Sequence, residues 1–522
     1  MSQTAQSLTN RTTRAVQWRF ASSAVAAVSR FAIGVLLARL LPPADFGVVA
    51  LAFVVLGLAG PIGDLGIGGA VVQRTGLTER HVRTGFTFAV LLGAVMAALL
   101  ASVAPLGVWL LRDPRVTPVL RLLAAGFAVQ GAAVVAGALL RRRLDFRRLF
   151  VIDTCSYVLG YGAVAVTLAF LGYGVWSLVW GGLAQSLLAS CALLGAARHS
   201  VRPLLARREL KELLHFGFGA SVSACVNYVA LNADNFVVGR WMGAASLGLY
   251  SRAYSLMNLP YTYAASALTG VLFPAFAEVQ ADTARLRRAY LLATQFTAML
   301  AASAMATMAI AAPHLVRSLY GPRWIGVVAP LQILCVAGYF RALYHLGGVV
   351  AQSVGRVYSE MWRQAVYAAL VIAGVLAGMR HGLWAVAVGV SVAILYMFVA
   401  TAQLALRVTG ATWRMYFGVQ SGALATAVIT CAVALCTRLL LEAMHARSSI
   451  IAVAVVAGAA VPWALGIGWN LGQQEFEPIR AGLPQLWVRA VETLGRLGGS
   501  RPADAVLASV GPIGSQRGPD GG

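Results

Sequence analysis

Along almost the whole chain, apolar residues run on in blocks of about twenty or more, separated by short polar interruptions. A helix rises about 1.5 Å per residue, so roughly twenty such residues cross the hydrocarbon of a bilayer. Fourteen blocks meet that length: 18–41, 46–72, 84–111, 116–140, 149–171, 174–197, 213–238, 244–277, 289–319, 325–352, 362–379, 383–406, 415–440 and 449–471. Pro260 and Pro274 leave the division of 244–277 as the least certain boundary. The pattern predicts an all-α polytopic membrane protein with about fourteen spans. After Gln473 the pattern changes. "LPQLWVRAVETLGRL" places Leu486, Trp487, Ala490, Val491 and Leu494 on one helical face, a segment expected to lie along the membrane surface. Beyond Gly498 the composition is that of a disordered tail.

The interruptions test the span count. With the N-terminus inside, the inner loops carry Arg11, Arg14 and Arg19; Arg74, Arg80 and Arg83; and the five Arg of "RRRLDFRR" at 141–148. They continue with Arg198, Arg202, Arg207, Arg208 and Lys211; Arg285, Arg287 and Arg288; Arg356 and Arg363; Arg407 and Arg414. The opposite loops hold six: Arg112, Arg115, Arg240, Arg323, Arg380 and Arg447. Such alternation is the positive-inside bias, and it predicts both termini in the cytoplasm of a cell with this protein in its inner membrane. Trp109, Trp176, Trp241, Trp324 and Trp384 fall near the expected outer boundaries, as an aromatic belt would. The apolar run after the polar N-terminus lacks a clear cleavage site and reads as a retained first span rather than a signal peptide.

Composition then narrows the function. The 522 residues are 59% hydrophobic and 11% charged, with a net charge of +23. A nucleic-acid partner would gather that charge on one domain, whereas here it is spread over loops, so no nucleic acid is expected. The six cysteines lie within or beside apolar runs without CxxC spacing and read as buried apolar residues. The only lysine, Lys211, follows Leu210, so there is no Gly-Lys of a P-loop; no HExxH, complete GxGxxG or metal-ligand spacing of histidines occurs either. No cofactor or metal is expected, and the chain reads as a transporter, not an enzyme. A membrane-embedded polysaccharide polymerase or ligase remains the alternative from another class. It would need a larger outer loop, and the outer loops here are short and nearly without carboxylates.

"LARLLPPADFG" in the first half is echoed by "VGRWMGAASLG" in the second. A shift of 201 lays Arg39 on Arg240, Ala44 on Ala245, Phe46 on Leu247 and Gly47 on Gly248. Both copies begin on a span rising from the inner side, so the repeat is parallel. It predicts two six-helix bundles, 18–200 and 201–410, around an axis along the membrane normal, with the substrate cavity between them. Residues 1–17 then form a cytoplasmic N-terminus, 411–472 two additional helices, and 473–522 the cytoplasmic tail.

Charged residues within spans cost about 2.5–3.5 kcal/mol each on insertion scales, so each needs a partner or a wet cavity. Arg30, Arg121, Arg252 and Arg341 are the expected substrate-binding cations, since a guanidinium grips phosphate in bidentate fashion. Asn235, Tyr250 and Tyr254 are expected to add sugar contacts, the tyrosines from a stripe with Met257 and Tyr261 that equally suits helix packing. Asp64 and Asp234 are expected in charge pairing or ion coupling, Asp64 with Arg30 as one such pair. Asp153 lies a turn from the inner surface and is expected to snorkel or to pair with Arg147 or Arg148.

The segments "LARLLPPADFGVVALAFVVLGLAGPIGDLGIGGAVVQR", "LTERHVRTGFTFAVLLG", "DNFVVGRWMGAASLGLYSRAYSLMNLP" and "LYGPRWIGVVAPLQILCVAGYFRAL" resemble Wzx-type polysaccharide transporters. These belong to the multidrug/oligosaccharidyl-lipid/polysaccharide exporter superfamily. The resemblance covers most of the chain up to the twelfth span. It implies an alternating-access flippase, working as a monomer, that carries undecaprenyl-diphosphate-linked oligosaccharide repeat units from the cytoplasmic to the outer leaflet. It further implies a cationic cavity, membrane lipids and glycan-assembly proteins such as the polymerase as partners, and a lipid-tail groove at spans thirteen and fourteen. Within the superfamily, a peptidoglycan-precursor flippase and a multidrug antiporter are the alternatives; the arginine surplus argues against the latter.

Overall fold

The computed structural model describes residues 25–471, with side chains described except at 108–111, 215–220, 222–223, 226, 230, 260–271, 273–275, 357–358 and 469–471. Expectations for 1–24, for the tail and for the side chains of Trp109 and Tyr261 fall outside these residues. Among the described residues, all regular structure is helical. In chain order the helices are α1 (25–40), α2 (Pro43–Asp64), α3 (Ile67–Gln73), α4 (Glu79–Leu111), α5 (Val116–Arg142), α6 (Phe146–Phe170) and α7 (Val175–Ala197). They continue with α8 (Arg207–Glu278), α9 (Thr283–Leu319), α10 (Val328–Ser353), α11 (Val357–Gly378), α12 (Leu383–Thr409), α13 (Trp413–Ala443) and α14 (Ser448–Leu471).

Eleven of the described helices are long and apolar enough to cross a membrane. The other three expected spans fall on α1 and on the two arms of α8, 207–242 and 244–278, which meet at Gly243. That residue holds φ 84°, ψ 171°, a conformation open to glycine and costly for a side-chain-bearing residue, and it turns the chain back. Two expected spans are interrupted. The run 46–72 breaks at Leu65 and Gly66, both left-handed, so α3 is a separate helix; the run 415–440 breaks between Gly418 and Ser421. Pro43 opens α2, where its missing N–H leaves no helical bond unmade. Asp145 and Asp282 cap α6 and α9 by accepting from backbone N–H groups.

α4 packs on α5, α5 on α7 and α7 on α6; in the second half α9 packs on α10, α10 on α12, and α12 on α11. α13 and α14 pair with each other and lie against α9 through Ala311, Ala434, Ile451, Val455 and Ala459. The first arm of α8 crosses over. Its Leu213 is buried among Ile67, Val71, Val82 and Val135, and Tyr228 donates to the Phe53 carbonyl of α2 at 2.7 Å. Beside Leu213, Glu212 accepts from Arg74 at 2.5 Å and pairs with His81 at 3.0 Å. The Arg-rich end of that arm is thereby strapped to α3 and α4.

At the Arg-poor end the two halves meet through α2 and the second arm of α8. A Cβ on Gly47 would lie 1.7 Å from the Ala244 carbonyl oxygen, and one on Gly248 would lie 1.9 Å from that of Pro43. Pro43 and Ala244 are related by the same 201-residue shift that relates the two glycines. The contact therefore repeats itself about a pseudo-twofold axis, as the echo in the sequence predicts. Arg39 donates to the carbonyls of Ser318 and Leu319 at the C-terminal end of α9, where a cation meets the negative end of the helix. Trp324 is wholly buried and donates Nε1–H to the Ala38 carbonyl at 2.7 Å. This corrects its expected place in an aromatic belt; Trp241 and Trp384 are exposed.

Candidate functional site

The expected site residues separate into two groups, with two outliers. The first group lies where the halves face each other. Arg30, on α1, donates Nη2–H to Asp153 Oδ2 of α6 at 2.5 Å, and its guanidinium sits 5.3 Å from the centre of the Tyr157 ring. Asp153 and Tyr157 are one turn apart, so one face of α6 holds the cation by edge and by ring. Both ionic side chains are about half exposed, at 49% and 53%, so the pair lies outside the packed core.

Arg252 reaches the same place from the second arm of α8. A Cβ on Gly34 would lie 3.5 Å from its Nη1, and Gly34 is one turn along α1 from Arg30. Arginines carried by opposite halves thus both reach the 30–34 stretch of α1, Arg30 from its own backbone and Arg252 by its guanidinium. Tyr157 lies within electrostatic reach of both. On the side towards the Arg-poor face, Arg252 is roofed by rings: Phe46 at 4.5 Å, Tyr320 at 5.6 Å and Trp324 at 5.7 Å. Above that roof come the Gly47 and Gly248 contacts. The pair is closed off from the Arg-poor face and ringed by π faces and one carboxylate.

The second group is buried inside the second half. Asp234, on the first arm of α8, accepts from Tyr250 Oη at 2.8 Å and from the Asn235 backbone N–H at 2.8 Å. Tyr254, one turn beyond Tyr250, accepts from Arg341 Nη1 of α10, and the Arg341 guanidinium lies 5.2 Å from that ring's centre. Asp234 and Tyr250 are sealed from solvent and Arg341 is 8% exposed. The Asn235 amide turns to Asn232 Oδ1 at 3.4 Å. Tyr250 and Met257 are fully buried, and Tyr250 and Tyr254 tie the two arms of α8 to α10. A carboxylate, two phenols and a guanidinium form a buried strut between the two arms of α8 and α10.

Arg121 and Asp64 belong to neither group. Arg121 is exposed on α5 and donates Nε–H to the Ala101 carbonyl at 3.3 Å. Asp64 accepts from the Gly68 backbone N–H at 3.1 Å across the break before α3, while Arg30 pairs with Asp153. Arg148, expected as a partner of Asp153, pairs with Asp145 instead. Sequence reasoning did not place Tyr157, Phe46 or Tyr320 here, and it pointed Asp153 to the inner surface and Trp324 to the belt. Asp153 and Tyr157 did carry a signal: with Tyr161 they recur every four residues, and Tyr161 stacks on Tyr157 at 5.2 Å. The roof gathers Phe46 from α2 with Tyr320 and Trp324 from the turn after α9, and no local pattern announces it. The six cysteines are free thiols.

The family described as "Polysaccharide biosynthesis protein" matches residues 36–329. The chain is 30% identical over 326 residues to the succinoglycan biosynthesis transport protein ExoT of Rhizobium meliloti (strain 1021), covering 62% of this chain and 66% of that one. It is 26% identical over 383 residues to the lipopolysaccharide biosynthesis protein WzxC of Escherichia coli (strain K12), covering 71% and 77%. Among solved structures, the fold is similar to that of the lipid II flippase MurJ in an inward closed conformation. The TM-score is 0.71 at 12% identity, over 87% of this chain and 98% of that one. The matched residues 36–329 take in Arg252, its aromatic roof, Asp153 and both halves of the glycine contact, and on that match the chain belongs to the polysaccharide biosynthesis protein family.

Proposed function

We propose that this protein is a flippase that carries lipid-diphosphate-linked oligosaccharide repeat units across the membrane during surface polysaccharide biosynthesis. The observation that carries this reading is the convergence of Arg30 and Arg252 from opposite halves onto one turn of α1. A diphosphate presents charged oxygens on two adjacent phosphorus centres, and one guanidinium from each half suits it with bidentate, charge-assisted bonds. A ligand held by both halves at once draws them together, and its release lets them rock apart, as alternating access requires. The relatives are named for the biosynthesis of different polymers, succinoglycan and lipopolysaccharide. Recognition at the lipid diphosphate, the part such carriers share, accounts for one scaffold serving many glycans. We further propose fourteen spans, two six-helix bundles followed by α13 and α14, the Arg-rich face in the cytoplasm of the inner membrane, a working monomer, and hand-over to the polysaccharide polymerase.

The test is the sidedness of lipid-linked repeat units in cells depleted of this protein and then supplied with wild type, Arg30→Ala or Arg252→Ala. Wild type restores outward-facing units, and each variant leaves them facing the cytoplasm. Units that reach the outer leaflet without any flippase, and stay unpolymerised there, would transfer the role to a polymerase or scaffold.

A further inference from the structure

The ion pair between Arg30 and Asp153 has a consequence for a carrier that must return empty. We infer that Asp153 is a resident counter-anion: it holds Arg30 when the site is empty, gives way to the diphosphate on loading, and takes Arg30 back on release. This rests on the reading of Arg30 and Arg252 as the diphosphate site.

Three observations carry it. First, Arg30 reaches Asp153 at 2.5 Å with both side chains about half exposed. A pair in that setting is weak enough to exchange, whereas a buried one would be locked. Second, Arg252 has aromatic faces around it in place of a carboxylate, so the site keeps one cation ready to capture an anion while the other is neutralised. Third, Asp153 lies one turn before the π-helical stretch Tyr157–Val164 of α6. Such turns are rare, recur at functional sites and leave the helix a place to adjust when Asp153 lets go. An arginine within a span needs a partner or a wet cavity; once the diphosphate has left, the carboxylate on the same half supplies Arg30 with that partner for the return leg without a co-transported ion.

The prediction runs against a merely structural role, which would make loss of Asp153 weaken binding. Asp153→Asn removes the competitor and should tighten the affinity of the purified protein for undecaprenyl diphosphate about fivefold, the most an exposed ion pair of this kind is worth. It should at the same time slow net flipping in proteoliposomes, because Arg30 has no anion for the return. In an Arg30→Ala background the same substitution should leave affinity unchanged. Asp153→Glu keeps an anion in reach and should bind within twofold of wild type, which provides a second variant should Asn lower the folded yield. Unchanged or weaker binding by Asp153→Asn, tightening that persists without Arg30, or fivefold tightening by Asp153→Glu each overturns the inference. A different result marks failure of the underlying reading: Arg30→Ala and Arg252→Ala binding undecaprenyl diphosphate as wild type does.

Discussion

Replacing Gly47 by alanine puts one methyl group where the two halves touch. The added Cβ would stand 1.7 Å from the Ala244 carbonyl oxygen, and real Cβ atoms essentially never come within 3.0 Å of such a neighbour. Backbone meets backbone here, so no side chain can swing aside, and α2 must part from the second arm of α8 by about 1.3 Å. Overpacking of this kind costs about 1–3 kcal/mol. At about 2 kcal/mol the balance between this closed arrangement and one open at the Arg-poor face moves about thirtyfold. Gly248→Ala repeats the clash from the other side, with 1.9 Å to the Pro43 oxygen, and because the contacts adjoin, the double variant should show less than the sum. The assay is pulsed dipolar spectroscopy with spin labels at positions 112 and 380, both exposed at the Arg-poor end on opposite halves, in a cysteine-free background in lipid nanodiscs. Gly47→Ala should add or enlarge a longer-distance population. Gly60→Ala, in the same helix with nothing within 4 Å of its Cβ, should leave the distances unchanged. An unaltered distribution for Gly47→Ala in protein that melts as wild type does would refute the assignment of this contact as the seal between the halves.

Further outcomes follow from the other contacts. Arg341→Ala leaves the buried Asp234 without its nearby cation and should destabilise the protein by about 3–5 kcal/mol, read from detergent thermal melts. Adding Asp234→Asn should recover part of that loss, and strictly additive effects would disprove the strut. Trp324→Phe keeps the ring but strands the Ala38 carbonyl, at a cost of about 1–3 kcal/mol in the same measurement. At the Arg-rich end, the hydrogen bond from His81, with that from Arg208 and the charge of Arg74, holds the Glu212 carboxyl below its ordinary range. A lowered carboxyl pKa stabilises the fold above the unfolded-state value, about 4.3, and that contribution is lost as pH falls through the folded-state value. Protection of 207–214 relative to the intrinsic exchange rate should therefore fall on acidification below about pH 4.3, and Glu212→Gln should show the lower protection already at neutral pH; equal protection in the two proteins would sink the strap.

Much of the architecture was legible along the chain because a bilayer imposes one rule at each position. Backbone polar groups must be satisfied within the segment, so apolar runs of spanning length become helices, and the loops record their direction in arginine. The parallel repeat was legible as well, since Gly47 and Gly248 keep their spacing from "AR" and "GR" on two copies of one helix–turn–helix. Arginines in mid-span announced that they needed partners. Which partners they took was decided only in three dimensions. A span is one long apolar cylinder whose rotation the sequence barely states, and a rotation of a few tens of degrees moves a side chain from neighbour to cavity. Thus Asp64 turned to a local backbone N–H while Asp153, 123 residues from Arg30, became its counter-ion. Arg341 went into the second half, away from Arg30, and Trp324 went into the core instead of the belt. The sequence by itself determined what had to be helical, how the helices alternate, and that cations within them need anions. The tertiary structure decided which two arginines reach the same stretch of α1 and which carboxylate holds Arg30, because the pairing is settled by packing among helices far apart in the chain.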